Sequence, residues 1–277
     1  MRKLVLSDHT QDQASAAANK RQADFARDYA KYASTLAQRA DHRKALAAKS
    51  QLCWRERRYF GWVISFIPRM FNAMSSGPTA PVKAEAGRDE IVWNAGGDGE
   101  QRVLEALSAQ LGDEWVAISG YKNPSGEIDV LLVCPDGVLA IEIKYVNGRV
   151  YCEEDRWWRD KSDKYGNVVE RNLPIADKKG RGPSAQVNAS ASRLQRFLAE
   201  RTPVTTVLRS VVLSHPQSTI GELRLQTVDE IATLDSFNPR SVFKRTVGTG
   251  HQLLVDDLVR IITQDHRYHA SRGQRSG

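Results

Sequence analysis

Only three cysteines, Cys53, Cys134 and Cys152, occur in the 277 residues. They fall in no CxxC or zinc-finger spacing, and three thiols cannot all pair within one chain, so neither a disulfide framework nor a structural zinc site organises the fold. Reduced thiols in a cytoplasm are expected. Long apolar runs are scarce too. The longest, YFGWVISFIPRMF at Tyr59 to Phe71, contains Pro68 and Arg69 and falls short of the roughly 20 apolar residues a membrane span needs. No secretory signal is expected, because residues 7–20 are polar. No internal repeat stands out. A glycine-rich phosphate loop and a Ser-His-Asp arrangement are also missing, which argues against an ATPase or a serine hydrolase.

What is present is charge, unevenly placed. The net charge is +7, yet residues 1–84 hold 15 Lys and Arg against 6 Asp and Glu, and the remainder holds 25 against 27. The basic surplus therefore sits wholly in the first third, as in an arm drawn to the phosphates of nucleic acid or lipid.

Residues 12–58 contain neither Gly nor Pro and are rich in Ala, Lys, Arg and Gln, which predicts one long helix or two in tandem. Phe25, Tyr29, Tyr32 and Leu36 recur at helical spacing. The seam is narrow and suits packing, self-association as a coiled coil, or a solvated linker helix. Trp54, Tyr59, Phe60 and Trp62, set among Arg55, Arg57, Arg58 and Arg69, fit either a helix docked on protein or peripheral membrane contact through Tyr59 to Phe71. A linker at 75–84 (SSGPTAPVKA) closes this region.

Beyond it the texture changes. Residues 99–111 read as a helix with Asp98 and Gln101 at capping-box spacing. Strands are expected at 115–121, 128–134 and 138–145, then a loop-rich basic stretch at 147–182, a helix at 183–200 and a strand at 204–214. Helices are expected to start near Asp229 and His251, and the tail RYHASRGQRSG to be disordered. This gives a helical arm at 1–74, a linker at 75–84, a mixed α/β domain at 85–265 and a basic tail at 266–277.

The stretch GEIDVLLVCPDGVLAIEIK, 126–144, places charges where a buried hairpin would hold Val or Ile. With an even turn at Pro135 and Asp136, Asp129 falls opposite Glu142. That register gathers Ile128, Val130, Leu132, Leu139, Ile141 and Ile143 on one face and leaves Asp129, Ala140, Glu142 and Lys144 on the other. Opposed carboxylates repel, unless a divalent cation such as Mg²⁺, or Mn²⁺, sits between them. An adjacent lysine then positions water for attack on phosphorus. Glu100 lies three and four residues before Val103 and Leu104 and so shares the inward face of its helix. A first-turn acid favoured by the helix dipole is the other reading.

In sequence order these pieces are Gly99-Glu100, then Glu127-Ile128-Asp129, Glu142-Ile143-Lys144 and Pro183-Ser184-Ala185-Gln186. Together they resemble the nuclease-related domain (NERD), a branch of the PD-(D/E)XK nuclease superfamily, over about 95–234. The resemblance implies a restriction-endonuclease-like αβββαβ core, a mixed sheet flanked by helices. It also implies a metal-dependent phosphodiesterase site. Asp129 and Glu142 would bind the metal with Glu100 beside it, Lys144 would be the catalytic lysine, and Gln186 would complete the pocket. The superfamily's Pro-Asp is Ile128-Asp129 here, and Glu127 is a second-tier candidate. The expected substrate is nucleic acid, DNA before RNA. The rival is a nucleic-acid-binding module that does not cut and recruits a partner or membrane through its arm.

Weaker signals remain. RWWRDKSDK (156–164) and KKGRG (178–182) bring cations and aromatics that suit phosphates or an unpaired base, or simply a covering loop. His266 and His269 have a metal-like spacing, and His215 either borders the site or begins a turn.

Overall fold

A computed structural model describes residues 1–7, 9–57, 60–61, 63–64, 67, 77–85, 88–204, 206–246 and 254–273. The expectation of a membrane-facing segment at Tyr59 to Phe71 falls mostly outside them, as do the proposed helix start at His251 and the last four residues of the tail. Among the described residues no helix is long and apolar enough to cross a membrane.

The chain divides into two compact units. One, residues 13–91, consists chiefly of helix α1 (His9–Arg55), which begins just before it. Its Ala-rich, Gly- and Pro-free composition makes 47 continuous helical residues possible. Most of its side chains stay exposed. The aromatic seam forms as expected: Phe25 and Tyr29 ring centroids lie 6.1 Å apart, Tyr29 and Tyr32 6.0 Å.

The second unit comprises residues 1–12 and 92–277. Its main sheet has the order β1-β2-β3-β4-β8-β10, built from Arg2–Val5, Val116–Asn123, Gly126–Cys134, Gly137–Lys144, Val207–Leu213 and Glu230–Thr233. Strand β2 is antiparallel to β3 and β3 to β4, whereas β1, β8 and β10 join in parallel. Helices α2 (Arg88–Gln110), α3 (Pro183–Ala199), α4 (Pro239–Thr246) and α5 (Val255–Gly273) complete the unit. The mixed sheet with flanking helices, in the order α2-β2-β3-β4-α3-β8, is the architecture the sequence implied.

Two apolar layers hold the sheet. On one face Leu131, Val133, Val138 and Ala140 pack with Val187, Ala191, Leu194 and Leu198 of α3 and with Leu258 and Ile262 of α5. On the other, Val130, Leu132, Leu139 and Ile141 meet Val103, Leu107 and Leu111 of α2 and Val242 and Phe243 of α4. Each fully buried Leu contributes about 1.5–3 kcal/mol. Ile128 departs from the expected face and packs with the α3 side. The reason lies across the ladder: Gly120 adopts φ +67, which interrupts the alternation at the level of Asp129.

Four expectations are corrected. Helix α2 begins at Arg88 and runs through Gly96, Gly97 and Gly99, although glycine weakens a helix by about 1 kcal/mol each. Residues 2–5, assigned to the helical arm, form a strand beside β2. The 147–182 stretch is largely β-structure. Strands β5 (Gly148–Glu153), β6 (Arg156–Ser162) and β7 (Val168–Pro174) join β9 (Ser218–Arg224) in a second sheet of order β7-β6-β5-β9. Near Asp229 the chain forms β10, not a helix.

The tail differs as well. Residues 266–273 continue α5, and His266 is buried. Its Nδ1 accepts the Lys122 N–H at 3.1 Å, while Asp265 takes the Tyr121 hydroxyl and faces His269 Nε2 at 3.5 Å. These bonds pin α5 to β2, so the His266/His269 spacing reports helix docking.

Candidate functional site

The turn between β3 and β4 is the even one. Cys134 pairs with Gly137, and the register continues to Val130 opposite Ile141. Asp129 and Glu142 occupy the next rung, where the two strands part. There the Asp129 carboxylate accepts the Ile143 N–H at 2.7 Å, a side chain standing in for a ladder carbonyl. Strand β4 meanwhile stays paired with β8 out to Lys144 and Leu213. The parting of β3 from β4 opens a polar notch at the end of an otherwise apolar sheet.

Glu142 is buried, with 4% of its surface exposed. Its Oε1 accepts from Lys144 Nζ at 2.6 Å, because residues two apart on a strand share a face. Lys144 Nζ also donates to Gln186 Oε1 at 3.2 Å. Gln186 sits in the first turn of α3, which starts at Pro183 with a fixed φ suited to a helix start. Its Nε2 donates to the Arg181 carbonyl at 2.8 Å, fixing the amide so that its oxygen faces the lysine.

Glu100 arrives through a close approach of α2. A Cβ placed on Gly99 would lie 2.7 Å from Ser214 Oγ and 3.1 Å from Tyr145 Cβ, so only glycine lets the helix settle against the ends of β4 and β8. The Glu100 carboxylate is then near enough to act on Asp129. Burial first, then the charges of Glu142 and Glu100, push Asp129 well above the usual carboxylate range, against the pull of Lys144 and the Ile143 amide. For Lys144, burial works to lower the pKa, but Glu142 and Asp129 outweigh it and the net shift is upward.

All five residues singled out from sequence, Glu100, Asp129, Glu142, Lys144 and Gln186, thus meet at one end of the main sheet. Glu127 does not join them. It pairs across the ladder with Lys122 at 3.5 Å and accepts from Ser7 Oγ at 3.3 Å. Of the paired tryptophans, Trp157 is buried and donates to Ser184 Oγ at 2.9 Å, while Trp158 stacks on Tyr151 with centroids 5.9 Å apart.

Sequence reasoning passed over Asp177 and Ser214, and left His215 between bordering the site and beginning a turn. Asp177 helps keep Lys144 charged. Ser214 Oγ is buried without a hydrogen-bond partner. The His215 ring lies edge-on to Tyr145 at 4.8 Å. Burial, aided by the Arg102 and Arg159 guanidiniums, holds the His215 pKa below its ordinary value. The signal available was the position of His215 directly after a strand parallel to the one carrying Lys144.

Among the described residues no three His, Cys, Asp or Glu side chains form a ready metal cage. The donor set still suits a hard cation that keeps most of its waters, since Mg²⁺ is commonly held by one or two carboxylates plus substrate phosphates. Glu142 buried beside a half-buried Asp129, whose pKa is forced upward first by burial and then by the Glu142 charge, is an arrangement that such a cation would relieve.

One family model, described as the nuclease-related domain, matches residues 95–214. No curated protein and no solved structure matches the chain.

Proposed function

We propose, from the match of residues 95–214 to the nuclease-related domain model, that the protein is a Mg²⁺-dependent nuclease that hydrolyses phosphodiester bonds of nucleic acid, DNA before RNA. The observation that carries this reading is the meeting of Asp129, Glu142, Lys144 and Gln186 in a polar notch otherwise bounded by core. A structural role alone gives no reason to set a second carboxylate, the half-buried Asp129, beside the buried Glu142.

Asp129 and Glu142 would hold the metal, with Glu100 at its side. When bound, Mg²⁺ would polarise the phosphoryl oxygens and acidify a bound water. The chain's own groups supply the rest. Lys144 stays protonated beside two carboxylates, so it acts as a donor that orients the attacking water and steadies negative charge on the phosphate. The Gln186 amide fixes where that ammonium points. Three free, buried cysteines are in keeping with a reducing cytoplasm as the place of action.

The test is cleavage of labelled single-stranded and duplex DNA and RNA, with Mg²⁺, with Mn²⁺ and with EDTA. Mg²⁺-dependent cutting that disappears in folded Lys144→Ala is expected. Binding without strand breaks under every metal condition would leave the non-cutting module as the function.

A further inference from the structure

We propose that Arg102, Arg159 and His215 form a phosphate-binding subsite beside the catalytic notch, and that it takes a phosphodiester group neighbouring the one being cut. The proposal rests on the nuclease reading and adds to it three residues outside the set of five.

The side chains of Arg159, from β6, and His215, just after β8, meet the chain at 145–147, directly after Lys144, and Arg102 of α2 is close enough for its charge to act on His215. The His215 ring stands 4.8 Å from that of Tyr145. Arg159 Nη1 donates to the Asn147 carbonyl at 3.0 Å and to Asn147 Oδ1 at 2.7 Å. Gly99, three residues before Arg102, is pressed against Tyr145 and Ser214, which brings that turn of α2 to the same place. His215 itself lies one residue beyond the family match.

Their chemistry is that of an anion site. The Gln217 N–H donates to His215 Nδ1 at 3.1 Å, so the neutral ring carries its proton on Nε2 and offers it outward. Two guanidiniums add planar donors suited to phosphate oxygens. Neither guanidinium has an ion pair with a carboxylate among the described residues. Glu170 acts on Arg159 only at range. Like charges gathered without a counterion repel, and a phosphate between them removes the repulsion.

Binding of a fluorescent single-stranded oligonucleotide and of its duplex, measured in EDTA, tests the subsite without cutting. Arg102→Ala and Arg159→Ala should each weaken binding by about tenfold and lower the salt slope by about one phosphate contact, with the melting temperature of the Arg102 variant unchanged and that of the Arg159 variant lowered by the loss of its bonds to Asn147. Arg102 is exposed, so its variant guards against misfolding. A single neutral methylphosphonate linkage should weaken the wild type at one position and leave the double variant indifferent there. Wild-type affinity and salt slope in both variants overturn the proposal, as does absence of any oligonucleotide binding by the wild type. Arginine-dependent binding without Mg²⁺-dependent cutting sinks the nuclease reading and leaves the subsite. Cutting that is indifferent to both arginines does the reverse.

Discussion

Helix α1 runs for 47 residues with most of its side chains in solvent, while the nine residues of β3 bury all but three. In the helix every backbone bond closes within four residues, so order is local and composition alone announces it. In the sheet, neighbours come from distant parts of the chain, and a single side chain is felt on both faces. The arm holds the chain's basic surplus on its surface, whereas the sheet carries its carboxylates inward. Polar groups are cheap in the first setting. In the second they are costly and therefore point to function.

That contrast can be broken at several points. Lys144→Ala and Asp129→Ala should each lower kcat/KM for cleavage by about a thousandfold while circular dichroism still reports a folded chain. Near-normal cleavage by both would remove the notch from the chemistry. Leu131→Ala, at a fully buried position between β2 and β4, should cost about 3 kcal/mol in urea unfolding. Gly120→Ala comes next, at about 2 kcal/mol, because φ is +67 and the added Cβ would strike the Ser7 carbonyl oxygen.

A smaller effect concerns pH. The folded chain holds the Asp129 proton more tightly than the unfolded chain does. This contribution to stability is therefore complete below the ordinary carboxylate range and is lost as pH rises through the elevated folded value. In EDTA, Asp129→Asn should raise the melting temperature at neutral pH and flatten its pH dependence, and Mg²⁺ should stabilise the wild type but not the variant. A melting temperature lowered by Asp129→Asn would count against the raised pKa. Smallest is Ala33→Gly in α1, about 1 kcal/mol, read by amide exchange around residue 33, with cleavage untouched. If it cost as much as Leu131→Ala, the local character of the arm would be wrong.

The hairpin was readable because strand parity is rigid: once the turn is even, Val130 falls opposite Ile141, and Asp129 and Glu142 take the next rung, where the ladder ends. Gln186 was legible only through the family resemblance of Pro183-Ser184-Ala185-Gln186, with Pro183 marking the helix start. The Ile128 face was not, since the left-handed turn at Gly120 depends on Ser7, more than a hundred residues earlier. The start of α2 was hidden by glycines that look like a stop signal, yet Gly99 serves a close contact with Tyr145 and Ser214. The second sheet was hidden because its strands are short and charged, with few side chains turned to the core, among them Val150, Cys152, Trp157, Ile220 and Leu223. The position of His215 after a strand left two readings open, and sequence could not decide between them because its partners Arg102 and Arg159 are far away in the chain.

Strand β1 has a consequence in time. Arg2 pairs with Val116, so this strand must wait while the intervening chain is made, roughly 6–20 s at ribosomal speed. During that interval the β1 backbone has no sheet to join, and the closure of a long loop precedes any reward from pairing. Removing residues 1–84 to study the arm would take β1 as well and bare the β2 edge, which invites aggregation. Any deletion made to study the arm should therefore keep residues 1–7 attached to the sheet.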